Sequence, residues 1–381
     1  MKIKKLLLTL IILTTLFFMS GCSYKELNDL AIASAIGIDY ENNEFIITSQ
    51  ILNFQKSEES SEENVILYEG KGETIGEAIR NTYLQYPNKL HMGHLELIVL
   101  NKNAANEKLT EISDYFIRSP EARSNCYFMI STEGSAKDIL TPSEESEDTF
   151  TANKIVKIVE DTKKYQGITT LMTLDQISIA FLSKGTYPVI TSLKYEKDEE
   201  KYSNVISTGL VVLKKEDNKI TDELTKEEAT AYNIINKNLT DVMLSFEYQD
   251  NNLNVIIFNP SSKINVKIKD NKLKINIDLT LEGHISVINK KLNLQKKENI
   301  KDIEHKTEEE VKRYINHLIN FNKENNVDTL NIKNKIYKNY YKKYKEYENK
   351  NIYEIAEINT NVTVNLYRYG NTYKSIGDKN E

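Results

Sequence analysis

The stretch KLKINIDLTLEGHI, residues 272–285, decides the fold of the C-terminal third of the chain. Apolar side chains occupy every second position from Leu273 to Leu281, with Lys274, Asn276 and Asp278 between them. Successive side chains of a β-strand point to opposite faces, so this pattern predicts a strand with one face in a core and the other in solvent. Residues 263–269 precede it and are joined to it by Asp270 and Asn271, which predicts an antiparallel hairpin.

Two helices and a closing strand are predicted beside this hairpin. Thr307 with Glu310 three residues later has capping-box spacing, and the apolar side chains that follow lie on one helical face. A helix rich in lysine and tyrosine is predicted over residues 330–347, and a final strand over residues 362–369. This region therefore predicts a sheet covered by helices.

Strand and helix patterns alternate through the N-terminal part of the chain. A hairpin is predicted from residues 32–40 and 45–54, followed by an exposed loop over 55–64. The predicted helices are 75–86, 108–118, a short one before Pro142, 150–165 and 174–183, and the predicted strands are 95–100, 125–131 and 186–193.

A charged run over residues 194–201 indicates a linker or a hairpin tip. Beyond it, strands are predicted at 205–213, 219–224, 242–248 and 253–258, with a helix from Thr225 between them. We therefore expect an α+β fold of three mixed α/β modules with largely antiparallel or mixed sheets. The expected division is a signal peptide at 1–21 and domains at 22–195, 202–260 and 261–381.

The first 22 residues have the form of an export signal. Lys2, Lys4 and Lys5 precede a largely apolar run over residues 6–19, which is shorter than the ~20 residues that span a bilayer. Gly21 and Cys22 follow, and small residues directly before a cysteine resemble the bacterial lipobox, in which the cysteine is acylated (for example with palmitate) and becomes the N-terminus. The alternative is a plain signal peptide followed by an incidental cysteine; we favour lipidation of Cys22 and tethering of the protein to a membrane.

Composition limits the classes of partner. The chain has 50 Lys and Arg against 56 Asp and Glu; without the three lysines of the signal, 47 basic residues face 56 acidic ones, a net charge of −9. Nucleic acid is an unfavourable partner for such a chain, because phosphate binding needs a basic surface. Cys126 is the only cysteine besides Cys22, so the body is expected to have no internal disulfide.

The sequence offers little support for catalysis. It has no G-x-S-x-G elbow, no P-loop and no dinucleotide-binding glycine pattern. His91, His94 and Glu96 could be interpreted as a metal cluster, but they run into an apolar strand in which positions i and i+3 point to opposite faces. We therefore expect a protein that is not an enzyme, with no catalytic residue, no metal and no cofactor.

Tyrosines and lysines alternate near the C-terminal end. Tyr340, Tyr341 and Tyr344, with Tyr337 and Tyr347, recur at helical spacing. One interpretation is an interface with lipid headgroups or a membrane partner, because tyrosine rings and lysine stems suit such interfaces. The other, which we favour, is that the tyrosines pack on the sheet while the lysines face water.

Residues 26–32, closing on Gly37, Ile38 and Asp39, form one block of motifs, and Gly93-His94 forms another. They resemble the opening block and the Gly-His block of the Ger(x)C family of spore-germination lipoproteins. Residues 209–212 and 224–228 are similar to its central block, and 362–370 to its closing strand. Arg118, Glu121 and Arg123 fall where the family has an arginine-rich segment, so the resemblance implies an interface there. The tryptophans usual in the family are missing, since this chain has none.

The resemblance implies a role in spore germination. Members of this family are the C subunits of nutrient germinant receptors, anchored by lipid on the outer face of the spore inner membrane. They assemble with a polytopic A subunit and an integral B subunit, and ligand recognition is generally attributed to A and B. The competing expectation is a solute-binding lipoprotein of a transporter, which would have two similar lobes around a cleft.

Overall fold

The computed structural model describes residues 3–4, 30–53, 64–85, 88–141, 152–197, 203–215, 217–249, 251–270, 272–288 and 296–367. Cys22 and nearly all of the expected signal peptide lie outside these ranges, as do residues 55–63 of the expected loop. In the described part, the strands form two sheets, one of nine strands and one of four.

The larger sheet has a parallel centre and antiparallel flanks. Its strands follow the order β3-β2-β1-β5-β6-β7-β8-β9, and β4 pairs with the beginning of β1. Strands β1, β5, β6 and β7 are parallel neighbours, and hairpins extend the sheet on both sides. The strands are β1 Leu30–Glu41, β2 Glu44–Asn53, β3 Asn64–Gly72, β4 Lys89–His91, β5 Leu97–Asn101, β6 Tyr127–Glu133, β7 Val189–Lys197, β8 Ser203–Lys214 and β9 Lys219–Ile220.

The predicted β1–β2 hairpin is confirmed, with Asn42 and Asn43 at positive φ in its two-residue turn. Strand β3 is not among the predicted strands, because its mix of charged and small residues gives only a weak alternating pattern. Strand β7 continues through the charged residues 194–197 and pairs with β8, so the charged run belongs to a hairpin.

Helices cover both faces of the larger sheet. They are α1 Ile75–Asn81, which continues as a 3₁₀ turn at Thr82–Leu84, α2 Lys102–Arg118, α3 Ala136–Leu140, α4 Ala152–Gln166 and α5 Leu174–Leu182. Helices α1, α2 and α5 share one apolar cluster with the sheet, whereas α3 and α4 share another. Alternate residues of β5 enter the two clusters, so the continuous apolar run of this strand reflects burial on both faces.

The smaller sheet consists of β10 Val242–Tyr248, β11 Asn251–Lys269, β12 Lys272–Ile288 and β13 Glu357–Tyr367. The expected alternation in β12 is confirmed: Leu273, Ile275, Ile277, Leu279 and Leu281 are all buried. Strand β11 replaces the two separate strands that were predicted. It passes Pro260 through a register shift between Phe258 and Ser261, with Asn259 at positive φ, and this bulge accommodates a residue that has no N–H group to donate.

Helices α6 Lys226–Ile235, α7 Lys297–Asn325, α8 Ile332–Asn339, α9 Tyr341–Tyr347 and α10 Ile352–Ile355 complete the fold. Helix α7 begins ten residues before the predicted start at Thr307. The Thr307 hydroxyl donates to the Ile303 carbonyl, 2.7 Å away, inside the helix rather than capping it. The single helix predicted over 330–347 is two helices, because Tyr340 leaves the helical region at φ −137°.

The largest apolar cluster joins the two sheets. It contains Val189 and Leu210 of the larger sheet together with β10–β13 and the buried face of α7. Strand β8 pairs with β7 across the expected boundary at residues 195–202, and β11 runs across the boundary at 260. The division into three domains stays a prediction, whereas the α+β class with mixed sheets is confirmed.

Candidate functional site

The expected interface residues Arg118, Glu121 and Arg123 follow one another at the end of helix α2. Arg118 is exposed and donates through Nε to Asp114 Oδ2 at 2.7 Å, one helical turn earlier. Glu121 pairs with Lys89 of strand β4. Arg123 is exposed in the loop that leads to β6. The structure therefore places all three on one surface segment, with Glu121 half-buried, and their role at an interface stays a prediction.

A groove lies between helix α1 and the end of α2, and we call it the α1/α2 groove. It consists of two adjoining cavities of about 550 and 700 Å³. Arg118 lines one cavity and Glu121 the other, whereas Arg123 lines neither. Both cavities are bordered by Thr74, Gly76, Tyr115, Ser119 and Pro120.

The wall that α1 contributes was not identified from the sequence. Arg80 and Tyr83 of this wall sit on a helix whose predicted importance was its apolar face. Tyr83 was predicted as part of the apolar face, and Arg80 gave no signal, because any amphipathic helix has polar residues on its solvent side. Only the packing of α1 against β3 and α2 turns them into the lining of a groove.

Local sequence explains how α1 is held. Thr74 accepts a hydrogen bond from the Glu77 N–H at 3.2 Å, and the Glu77 carboxylate accepts one from the Glu73 N–H at 3.0 Å. A Cβ atom on Gly70 of strand β3 would lie 2.2 Å from the Ala78 carbonyl oxygen, so α1 packs on the strand only because Gly70 has no side chain. Across the groove, Gly76 faces the ring of Tyr115.

Several charged side chains that line the groove are paired with groups of opposite charge. The hydrogen bond to Glu121 raises the pKa of Lys89, and partial burial raises the pKa of the Tyr115 hydroxyl, which stays protonated at neutral pH. Among the described residues, no group of three or more His, Cys, Asp and Glu could hold a metal ion. The groove can therefore receive a mixed polar and apolar surface, but its lining gives no positioned nucleophile and base.

The expected tyrosine interface lies elsewhere, against the smaller sheet. Tyr344 is buried, and Tyr340 donates to the Val266 carbonyl of β11 at 3.3 Å. Tyr341 is 69% exposed, and its ring lies 5.4 Å from that of Tyr337. The packing interpretation thus describes Tyr340 and Tyr344, and Tyr341 is the tyrosine of the three that a partner could reach.

Two family-like motifs have structural explanations. A Cβ on Gly93 would lie 2.7 Å from His91 Nε2, so the glycine of the Gly-His block makes room for the neighbouring imidazole. Asp39, at the end of the opening block, is buried and accepts hydrogen bonds from the Ala136 and Lys137 N–H groups at 2.7 and 3.3 Å. Burial raises the pKa of Asp39 to about 6, although these bonds oppose the shift.

Cys126 is expected to be chemically silent in the folded protein. It is buried directly before β6, and burial raises the pKa of its thiol to about 12 from an ordinary value of 9.0. This higher pKa lowers the thiolate fraction near neutral pH roughly 1000-fold. Alkylation by iodoacetamide at pH 8 should therefore be at least tenfold slower in the native protein than in 6 M urea.

The buried Cys126 thiol should also affect how the stability of the protein depends on pH. Because the folded-state pKa of Cys126 is above the unfolded one, the stability that this thiol contributes is intact below pH 9 and is lost as the pH rises towards 12. Cys126→Ala should remove that part of the alkaline slope. Equal alkylation rates in native and unfolded protein would contradict the buried placement.

Known proteins resemble this chain over most of its length. Residues 23–195 match the family model described as "Spore germination protein N-terminal domain", and residues 208–370 match "Spore germination B3/ GerAC like, C-terminal". Spore germination protein KC of Bacillus subtilis (strain 168) is 24% identical over 375 residues, covering 89% of this chain and 88% of that protein. Spore germination protein B3 of the same organism is 24% identical over 225 residues, covering 56% of this chain and 58% of that protein.

A solved structure also matches. The crystal structure of the GerBC protein superposes with a TM-score of 0.56 at 16% identity, covering 87% of this chain and 96% of that one. This likeness supports the architecture of two linked sheets described above. Within the ranges that the structure describes, no helix combines the length and apolar character needed to cross a membrane.

Proposed function

Because this chain belongs to the GerAC family of spore germination proteins, we propose that it is a lipid-anchored, non-enzymatic subunit of a spore nutrient germinant receptor. The proposed anchor is acylated Cys22, which would hold the body on the outer face of the spore inner membrane. The proposed partners are the A and B type membrane subunits of the receptor. The role is to support assembly and signalling of that complex during germination.

One observation carries this proposal: the two family matches together account for residues 23–195 and 208–370. The first match begins at the residue directly after Cys22. The predicted export signal, with its lipobox-like end, would therefore directly precede the residues that correspond to spore germination domains. This order is what a protein cut before Cys22 and acylated on it requires.

The physical advantage of an anchor is effective concentration. A lipidated body is confined to the membrane plane, so its encounters with integral subunits become nearly intramolecular. Interfaces of modest area then suffice, and exposed polar segments such as residues 118–123 are adequate candidates. The acidic body agrees with partners other than nucleic acid.

The alternative function, a solute-binding lipoprotein of a transporter, predicts two similar lobes around a cleft. The described residues instead form sheets of nine and four strands with different strand orders. Calorimetry of residues 22–381 against a panel of amino acids and sugars separates the two functions. Tight binding of one nutrient by this chain alone would favour the transporter function.

Cys22→Ala tests the proposed anchor, and the chain offers a matched control in its other cysteine. We expect the variant to lose incorporation of labelled palmitate and to fall roughly tenfold or more in the membrane fraction, since acyl chains supply most of the membrane affinity. Cys126→Ala should keep both the label and the membrane fraction, because its thiol is buried. Spores with Cys22→Ala should germinate more slowly in response to the receptor's nutrient.

Two outcomes would contradict the proposal. Normal palmitate labelling in Cys22→Ala would show that another group carries the lipid. Normal membrane retention together with normal germination would show that no lipid on Cys22 is needed.

A further inference from the structure

The chain enters the folded body at one end of the larger sheet. Leu30, the first residue of β1, pairs with Lys89 of β4, and β5, β6 and β7 run parallel to β1. All four parallel strands therefore begin at the same end, which we call the tether-side end. The hairpin turn at residues 41–44 lies at the opposite end of β1.

The connection between the proposed anchor and this end is short. Cys22 and Leu30 are eight residues apart, and a fully extended chain of that length spans at most about 29 Å. The 12 residues of β1 add roughly 36 Å from the tether-side end to the opposite end. A lipid on Cys22 thus keeps the tether-side end within about 29 Å of the bilayer, whereas the 41–44 turn can lie up to roughly 65 Å from it.

Large apolar side chains are exposed on the elements that reach this end. Leu84 is 85% exposed and lies five residues before Lys89; Ile117, 49% exposed, is in the last turn of α2, which leads into the loop before β6. Such exposure is costly in water and is therefore informative when several residues share it.

Helix α5 adds two more. Its first residue donates from Leu174 N to the Cys126 carbonyl at 2.9 Å, beside the start of β6. The other end of α5 is held by Lys215, which lies just after the end of β8. The Lys215 ammonium donates a hydrogen bond to the Ser183 carbonyl oxygen at 2.9 Å. Both ends of α5 are thus fixed at the tether-side end, with Ile179 and Leu182 exposed by 61% and 87%.

We propose that Leu84, Ile117, Ile179 and Leu182 form a membrane-contacting surface that seats the body on the lipid bilayer holding the Cys22 anchor. This inference rests on the anchor proposed above and adds the orientation of the body. Arg118 and Lys184, both largely exposed, flank the apolar residues, and such cations extend to headgroups while apolar neighbours enter the acyl boundary. Asp114 and Glu348 pair with these two cations, so apolar contact and the tether, rather than anionic lipid, drive the seating.

The experiment uses the absence of tryptophan from the sequence. A single tryptophan is introduced by Leu84→Trp, Leu182→Trp or, as a control at the opposite end of β1, Glu41→Trp; all three positions are exposed, so folding is unaffected. Residues 22–381 are coupled through Cys22 to a maleimide lipid in phosphatidylcholine vesicles, and buried Cys126 does not react. Emission is compared between vesicles with brominated acyl chains and matched vesicles without bromine.

We expect brominated lipid to remove about half or more of the emission from Leu84→Trp and Leu182→Trp, because interfacial side chains enter the outer ~5–10 Å of the acyl region. Emission from Glu41→Trp should be unchanged. Any other pattern, including the absence of quenching at both tether-side positions, overturns the proposed surface. Chemical coupling makes the result independent of acylation in the cell, so a failure here is distinct from a failure of the Cys22→Ala test.

Discussion

Asp328→Ala is expected to lower the free energy of unfolding by about 3 kcal/mol, because two buried donors lose their acceptor. The Asp328 carboxylate is fully buried between α7 and α8. It accepts a hydrogen bond from the Tyr353 hydroxyl at 2.7 Å and one from the Lys333 N–H at 2.6 Å. These bonds join the end of α7 to α8 and α10, so the substitution should loosen the helices beside the smaller sheet.

Urea unfolding followed by circular dichroism measures this effect. The matched control is Asp161→Ala, which removes a half-exposed carboxylate paired with Lys157 on the surface of α4 and should change stability by no more than about 0.5 kcal/mol. Tyr353→Phe should have an intermediate effect, because it removes one of the two donors and leaves the other satisfied. Equal stability of Asp328→Ala and the wild-type protein would contradict the buried network.

The same carboxylate gives a pH-dependent readout. Burial is the largest influence on Asp328 and raises its pKa, so the folded chain holds this proton at pH values where the unfolded chain has lost it. Stability from this group therefore rises as the pH falls from neutral through the raised pKa towards the unfolded value. The wild-type protein should gain stability relative to Asp328→Asn over that interval, and a constant difference would contradict the raised pKa.

Gly70→Ala should also cost about 3 kcal/mol, at the upper end of the range for overpacking, and should distort the α1/α2 groove. The added Cβ would lie 2.2 Å from the Ala78 oxygen and 2.6 Å from the Thr82 nitrogen, both of them backbone atoms that cannot rotate away. Helix α1 must therefore move off strand β3. Urea unfolding measures the loss, and the fluorescence of Leu84→Trp in the same background reports displacement of the helix end.

Gly76→Ala is the matched control, six residues away in α1. Its added Cβ would meet Tyr115 at 3.5 Å, an ordinary contact, and alanine is favoured over glycine within a helix by up to about 1 kcal/mol. We therefore expect unchanged or slightly increased stability. A similar loss from both substitutions would show that glycine flexibility, rather than the close approach of α1 to β3, explains the effect of Gly70.

The elements with strong periodicity were predictable. The alternation in β12, the β1–β2 hairpin and the helix that begins after Thr225 depend on residues that are near one another in sequence, and each is present in the structure. Strand β3 was missed because its burial comes from pairing with β2 and from α1, neither of which its own pattern shows. The predicted counterpart of α7 began too late in the sequence. Thr307 resembles an N-cap when the charged residues before it are considered by themselves.

Some residues of the candidate site could likewise be named from the sequence, whereas others are brought together only by packing. Arg118, Glu121 and Arg123 are contiguous in sequence and could be named from it, whereas Arg80, Tyr83 and Tyr115 line the groove through packing of two helices. Asp328 was not identified at all, since a single carboxylate after a helix is normally solvated. Its burial depends on Tyr353, 25 residues later.

The sequence by itself predicted an export signal ending before Cys22, and it determined the acidic charge balance, the α+β class and the position of most elements, because each depends on composition or on short-range periodicity. Only the tertiary structure decided how the two sheets share one core, where the α1/α2 groove forms, and that Leu30 enters beside Lys89 at the end where apolar side chains are exposed. The physical reason is that pairing and packing join residues far apart in the chain, and no local pattern records which of the possible partners is nearest.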